Sequence, residues 1–208
     1  MYIPDQINCV KFPCKDVHHA GYLIPDVSID PQQVSMLMIS ESAPQDSRDY
    51  YYAGGEAAYE RTTLQAFEDA GVKFAAFDQL ADMGIYLTSA VKCSKTGYGI
   101  KAGTVQQCSL ILEEEIGLFP NIKVIMLMGD VAIKAINYIA RKAELDRVIP
   151  ADATYKIRSG EYYFREIRLF PSYMQVGPSF GIEKSKRKMI AEDIQNALEY
   201  IRYLSQQQ

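Results

Sequence analysis

Short apolar runs alternate along this chain with stretches of helical spacing, and that alternation constrains the fold more than any other feature. The clearest unit is Lys123-Val-Ile-Met-Leu-Met128, a strand-sized apolar run, followed by a Gly129-Asp130 turn and a helical pattern over Val131 to Arg141. Val34 to Ile39 reads as a first core strand running into a Pro-containing loop, Ser40 to Asp49. Gly55 to Ala70 reads as a helix with Gly71 as its C-cap, and Ile85 to Val91 as a second strand. Cys93 to Gly103, rich in Gly, Lys, Ser and Thr, reads as a loop, and Thr104 to Gly117 as a helix. Glu161 to Phe170 is rich in aromatic and β-branched residues and is expected to be a strand broken by Pro171, and Ile182 to Leu204 is expected to be a long final helix. Parallel strands need a crossover of this kind to return the chain to the same end of the sheet. The pattern therefore predicts an α/β fold, a three-layer α/β/α sandwich around a mostly parallel, about four-stranded central sheet.

At 208 residues the chain suits one domain spanning 1–208. No apolar run is long enough to span a bilayer, and no signal peptide is read at the N-terminus, so a cytoplasmic protein without a membrane partner is expected. A monomer is the expected state. A formal net charge of −4 argues against a surface coated in basic residues and leaves room for a local basic groove. The four cysteines, in a reducing compartment, are expected to ligate metal or to be buried thiols.

In sheets of this kind ligands bind beyond the carboxyl ends of the strands. The loops expected there contain Ser40-Glu-Ser-Ala-Pro44, Ser89-Ala-Val-Lys-Cys93, Leu127-Met-Gly-Asp-Val-Ala132 and Phe170-Pro-Ser172. In that order they resemble the motifs of the uracil-DNA glycosylase superfamily, and most closely its family-4 type, with a Gly-Glu-(Ala or Gly)-Pro-Gly loop, an Asn-Val-Val-Lys-Cys strand, a Leu-Gly-x-x-Ala turn and a His-Pro-Ser loop. The resemblance implies hydrolysis of the N-glycosidic bond of a damaged base in DNA, with Glu41 serving the sugar side. A carboxylate in such a loop also suits capping of nearby backbone N–H groups. Tyr51 or Tyr52 would stack on a base flipped out of the helix, or pack as an aromatic loop on the sheet edge.

Two positions depart from the family. Ser89 stands where the family has an asparagine that reads the base edge, and Phe170 where it has a histidine beside the leaving base, so two-point recognition and one donor are lost. Losing one such donor costs about 100-fold to 1000-fold in rate, which leaves Ser172 or backbone N–H groups to serve the base.

The resemblance also implies that Cys9, Cys14, Cys93 and Cys108 hold a 4Fe-4S cluster, with zinc as the alternative for four thiolates. The first pair is Cys-x4-Cys, wider than in the family, and the adjacent His18 and His19 are given no role. Lys184, Lys186 and Arg187, with Tyr173, Met174 or Gln175 nearby, fall where the family meets DNA; the bland reading of the charges is a solvated helix face. Two further expectations stay open: a DNA-binding protein that has lost the chemistry, and an enzyme acting on a free nucleoside or nucleotide.

Overall fold

The computed structural model describes residues 1–55, 57–177 and 179–207. Glu56, at the edge of the first expected helix, lies outside them. The strands are β1 (Val17–His18), β2 (Met36–Ala43), β3 (Ile85–Lys95), β4 (Val124–Met128), β5 (Tyr162–Phe164) and β6 (Ile167–Ser172). The helices are α1 (Ala58–Asp69), α2 (Gln79–Asp82), α3 (Ala102–Gly117), α4 (Asp130–Lys142), α5 (Thr154–Ile157), α6 (Ser179–Ile182) and α7 (Lys184–Ser205).

The strands form one sheet in the order β1-β3-β2-β4-β6-β5. The four inner strands are parallel, while β1 and β5 close the two edges antiparallel. The sheet is thus mixed and six-stranded rather than about four-stranded. β1 has only two residues, too few for any alternation to register. The segment from Glu161 is a hairpin, because Arg165 adopts a positive φ of 54° and opens a two-residue turn between Phe164 and Ile167. Such turns ordinarily carry Gly or Asn, so Arg165-Glu166 gives no turn signal.

Pro171 does not break β6; it pairs with Leu127 in the parallel ladder. The N–H of Arg168 and the carbonyl of Ser172 both bond toward the β4 side, so the alternating position of Pro171 faces the other way. There β5 has already ended, its last partner on β6 being Leu169. The missing N–H costs no ladder bond.

Period-two alternation along the inner strands divides the core. Leu37, Ile39, Ile125 and Leu127 pack with Val105, Leu112, Ile136 and Ile139 of α3 and α4. Met36, Met38, Met126 and Met128 pack with Phe67 of α1 and with Ile190, Ile194 and Leu198 of α7. Burying each such side chain contributes roughly 1.5–3 kcal/mol, which is why these runs are apolar on both faces. Among the described residues no helix is long and apolar enough to cross a membrane.

Candidate functional site at the carboxyl ends of the parallel strands

β2 runs past its expected end at Ile39 and carries Ser40 to Ala43 within the strand, pairing Ser40 with Ser89 and Ser42 with Val91 of β3. The half-buried Glu41 thereby reaches a cleft of about 810 Å³ that is also lined by Pro44, Tyr59, Lys95, Phe180 and Arg187. A second hollow of about 220 Å³ shares Glu41, Met174, Phe180 and Arg187 and extends to Asp130, Tyr173 and Lys186. The Glu41 carboxylate lies against the start of α4, with Oε1 at 3.5 Å from the N–H of Val131. The positive end of the helix dipole faces it there. Gly129 makes this approach possible: its φ is +104°, and a Cβ on it would stand 2.7 Å from Glu41 Oε1. The turn therefore requires glycine both for its backbone and for the space the carboxylate fills.

The aromatic run is interior at Tyr50 and Tyr51 and partly buried at Tyr52. Tyr51 is 1% exposed, and its hydroxyl accepts a hydrogen bond from Gln175 Nε2 at 3.0 Å. The Tyr52 hydroxyl accepts from the N–H of Leu87 at 2.9 Å, and Tyr50 bonds the Ser89 hydroxyl at 2.9 Å. Burial drives all three phenols well above their ordinary value. The tyrosine that lines the cleft is Tyr59, whose hydroxyl donates to the Ser42 carbonyl at 3.2 Å and whose ionisation burial pushes up to about 12.

Ser89 is fully buried, and its hydroxyl is shared between Tyr50 and the carbonyl of Val91. Phe170 sits inside β6 on the α7 side, with its ring 6.4 Å from that of Tyr200 and the Arg168 guanidinium 5.1 Å from its centre. Ser172 is fully buried and donates to Asp193 Oδ2 at 2.6 Å. Tyr51, Tyr52, Ser89, Phe170 and Ser172 line neither hollow. Gln175 is likewise buried, and its Oε1 has no hydrogen-bond partner among the described residues.

Tyr173, Lys186 and Arg187 do meet at the smaller hollow, while Lys184 is exposed at the start of α7. Lys186 pairs with Glu183 at 2.6 Å and stands 5.3 Å above the Tyr173 ring. Arg187 grips Asp69 of α1 through two nitrogens and lies 5.4 Å from the Phe180 ring centre. Its charge is largely committed to joining α7 to α1.

The cysteines line a different hollow from the two around Glu41. Cys9, Cys14, Cys93 and Cys108 all line one cavity of about 260 Å³, together with Phe12, Val17, Tyr22 and Ile111. Among the described residues no group of three or more His, Cys, Asp or Glu side chains is gathered closely enough to hold a metal ion. Desolvation, reinforced by the neighbouring thiols, pushes Cys93 up to about 12 and Cys108 up to about 11. The N–H of Lys92 donates to Cys108 Sγ at 3.2 Å. His19 also lines the cavity, its Nε2 2.7 Å from the Cys14 carbonyl, a placement with no signal in the sequence beyond proximity.

Two polar networks, one fully buried and one reaching from the interior to the surface, were not legible in the sequence. Fully buried Lys92 donates to Glu115, to Thr88 Oγ1 at 2.7 Å and to the Ser89 carbonyl at 2.7 Å. Arg158 bridges Asp193 at 2.8 Å and Glu192 at 2.9 Å, and Asp193 in turn holds Ser172. Burial raises the Asp193 carboxyl to about 6 against the opposing pull of Ser172 and Arg158.

No protein-family model matches this chain, and comparison with curated proteins finds no match.

Proposed function

We propose that this chain is a uracil-DNA glycosylase-like protein that acts on a damaged base in DNA, with Glu41 as its catalytic carboxylate. The observation that carries this reading is the position of Glu41. It is a half-buried carboxylate on a parallel strand, at the mouth of an 810 Å³ cleft beside a helix N-terminus, where this sheet topology puts ligand chemistry. The resemblance in motif order supports it, as does a core divided between the two sheet faces, which we read as the three-layer sandwich. In N-glycosidic hydrolysis the C1′–N bond breaks, its electron pair leaves with the base, and a water oxygen bonds to C1′. Glu41 would orient that water, take its proton and offset the positive charge that develops on the sugar.

We read the four thiols as the ligands of a 4Fe-4S cluster, with zinc as the alternative for four thiolates; all four line one cavity, which supports a shared role. When bound, a 4Fe-4S cluster would tie the N-terminal segment, β3 and α3 together through Cys9, Cys14, Cys93 and Cys108. We take the chain to be a cytoplasmic monomer.

A second reading has its own observation. Ser89 and Ser172 spend their hydroxyls inside the protein and Phe170 offers none, so no predicted base-reading side chain faces the cleft. This favours a DNA-binding protein that keeps the fold without the chemistry. Cleavage of oligonucleotides carrying different damaged bases decides between them. Release of any base, lost by about 100-fold to 10,000-fold in Glu41→Gln, supports catalysis; binding without release of any base supports the second reading. Release that survives the substitution would sink the role of Glu41.

A further inference from the structure

The loop between β3 and α3 flanks the cleft, and the proposed chemistry leaves it unused. From Ser94, near the end of β3, to Gly103, in the first turn of α3, the chain carries Lys95 and Lys101 and no acidic residue, in a protein of net charge −4. Asp16 clamps both ends of the loop. The Thr96 hydroxyl donates to the Asp16 carbonyl at 3.0 Å, while the N–H of Lys101 donates to Asp16 Oδ2 at 2.7 Å and the Thr104 hydroxyl to Oδ1. Ile100 packs onto the core beneath.

Between these anchors Tyr98 stands wholly in solvent, with a relative exposure of 105%. Gly97 and Gly99 flank it, and a Cβ on either would meet nothing within 4 Å. At the base of the loop Lys95 lines the same cleft as Glu41. Neither lysine belongs to an ion pair among the described residues. A loop anchored through Asp16, whose one bare aromatic ring is flanked in sequence by two lysines outside any ion pair, though Lys101 also feels the Asp16 charge, suits a nucleic-acid strand, whose bases stack on the ring while its phosphates meet the charges.

We propose that Tyr98 is a base-stacking platform for the DNA strand entering the cleft, with Lys95 and Lys101 on its phosphates. The inference rests on the DNA reading above and adds to it a contact surface that Glu41 chemistry does not require.

The chain has no tryptophan, so Tyr98→Trp installs a single indole, whose emission is separable from that of the tyrosines, at the loop tip. Titration with a single-stranded oligodeoxythymidine should quench its emission as the ring stacks. Tyr98→Ala should weaken binding about 5-fold to 150-fold, with Tyr98→Phe and Tyr98→Trp holding close to the parent. Lys95→Ala with Lys101→Ala should lower the slope of log affinity against log salt by about 1.4. Tyr98 makes no buried contact, so the alanine variant should keep the parent's thermal transition. If the parent binds DNA and Tyr98→Ala binds it equally well, the stacking proposal is overturned and the DNA reading stands. If the parent binds no DNA, both fall.

Discussion

Replacing Lys92 with methionine removes a cation that is buried to 0% exposure and that spends all three of its donors inside the protein. What remains is the equally buried Glu115 carboxylate, supported only by the Tyr86 hydroxyl at 2.7 Å and the Thr88 hydroxyl at 2.9 Å, together with a Ser89 carbonyl that has lost the ammonium. Breaking a buried ion pair from one side costs about 3–5 kcal/mol, chiefly because the other charge is left uncompensated. A domain stable by roughly 5–15 kcal/mol loses about a fifth of that or more. With a urea slope of about 2 kcal/mol/M the unfolding midpoint should fall by about 2 M. In Lys92→Met/Glu115→Gln the orphaned charge is gone while an amide oxygen still accepts from Tyr86 and Thr88, so at least half of the loss should return. Urea titration followed by circular dichroism measures both variants. A midpoint for Lys92→Met within about 0.5 M of the parent, or a double variant no better than the single, would refute the account of the network as a charge pair that must be whole or absent.

Protein prepared without oxygen should carry iron and sulfide in similar amounts with visible absorption, and Cys93→Ser or Cys108→Ser should remove both; zinc without iron in metal analysis would replace the cluster, and no metal at all would end either reading. Asp193 supplies a test by pH. Its carboxyl titrates near 6 in the fold against 3.8 ordinarily, so the folded state binds this proton more tightly; the contribution is complete below about pH 4 and is lost as pH rises through 6. Asp193→Asn cannot ionise, so its stability relative to the parent should improve by up to about 3 kcal/mol between pH 4 and pH 8, and parallel stability curves would show that Asp193 does not titrate there.

The strand-helix alternation and the places where ligand chemistry is sought were legible from residue order alone, because period-two and period-3.6 patterns record which faces are buried. Val124 to Met128 and the helix after it needed no tertiary information, since an apolar run between a glycine turn and an amphipathic stretch has few other uses. The edge strands were not legible: Val17–His18 has no periodicity, and the Arg165 turn carries no turn residue. Sequence order also brought the four cysteines under one expectation, yet only the fold sets them around one cavity. At the cleft the tertiary structure decided more. It sank Tyr51, Tyr52, Ser89 and Ser172 into hydrogen bonds with distant partners and left Glu41 and Tyr59 at the opening. The physical reason is that a residue type specifies which bonds a side chain can make, whereas burial and the partners within reach, tens of residues away along the chain, determine which of those bonds are already made and which are left for a ligand.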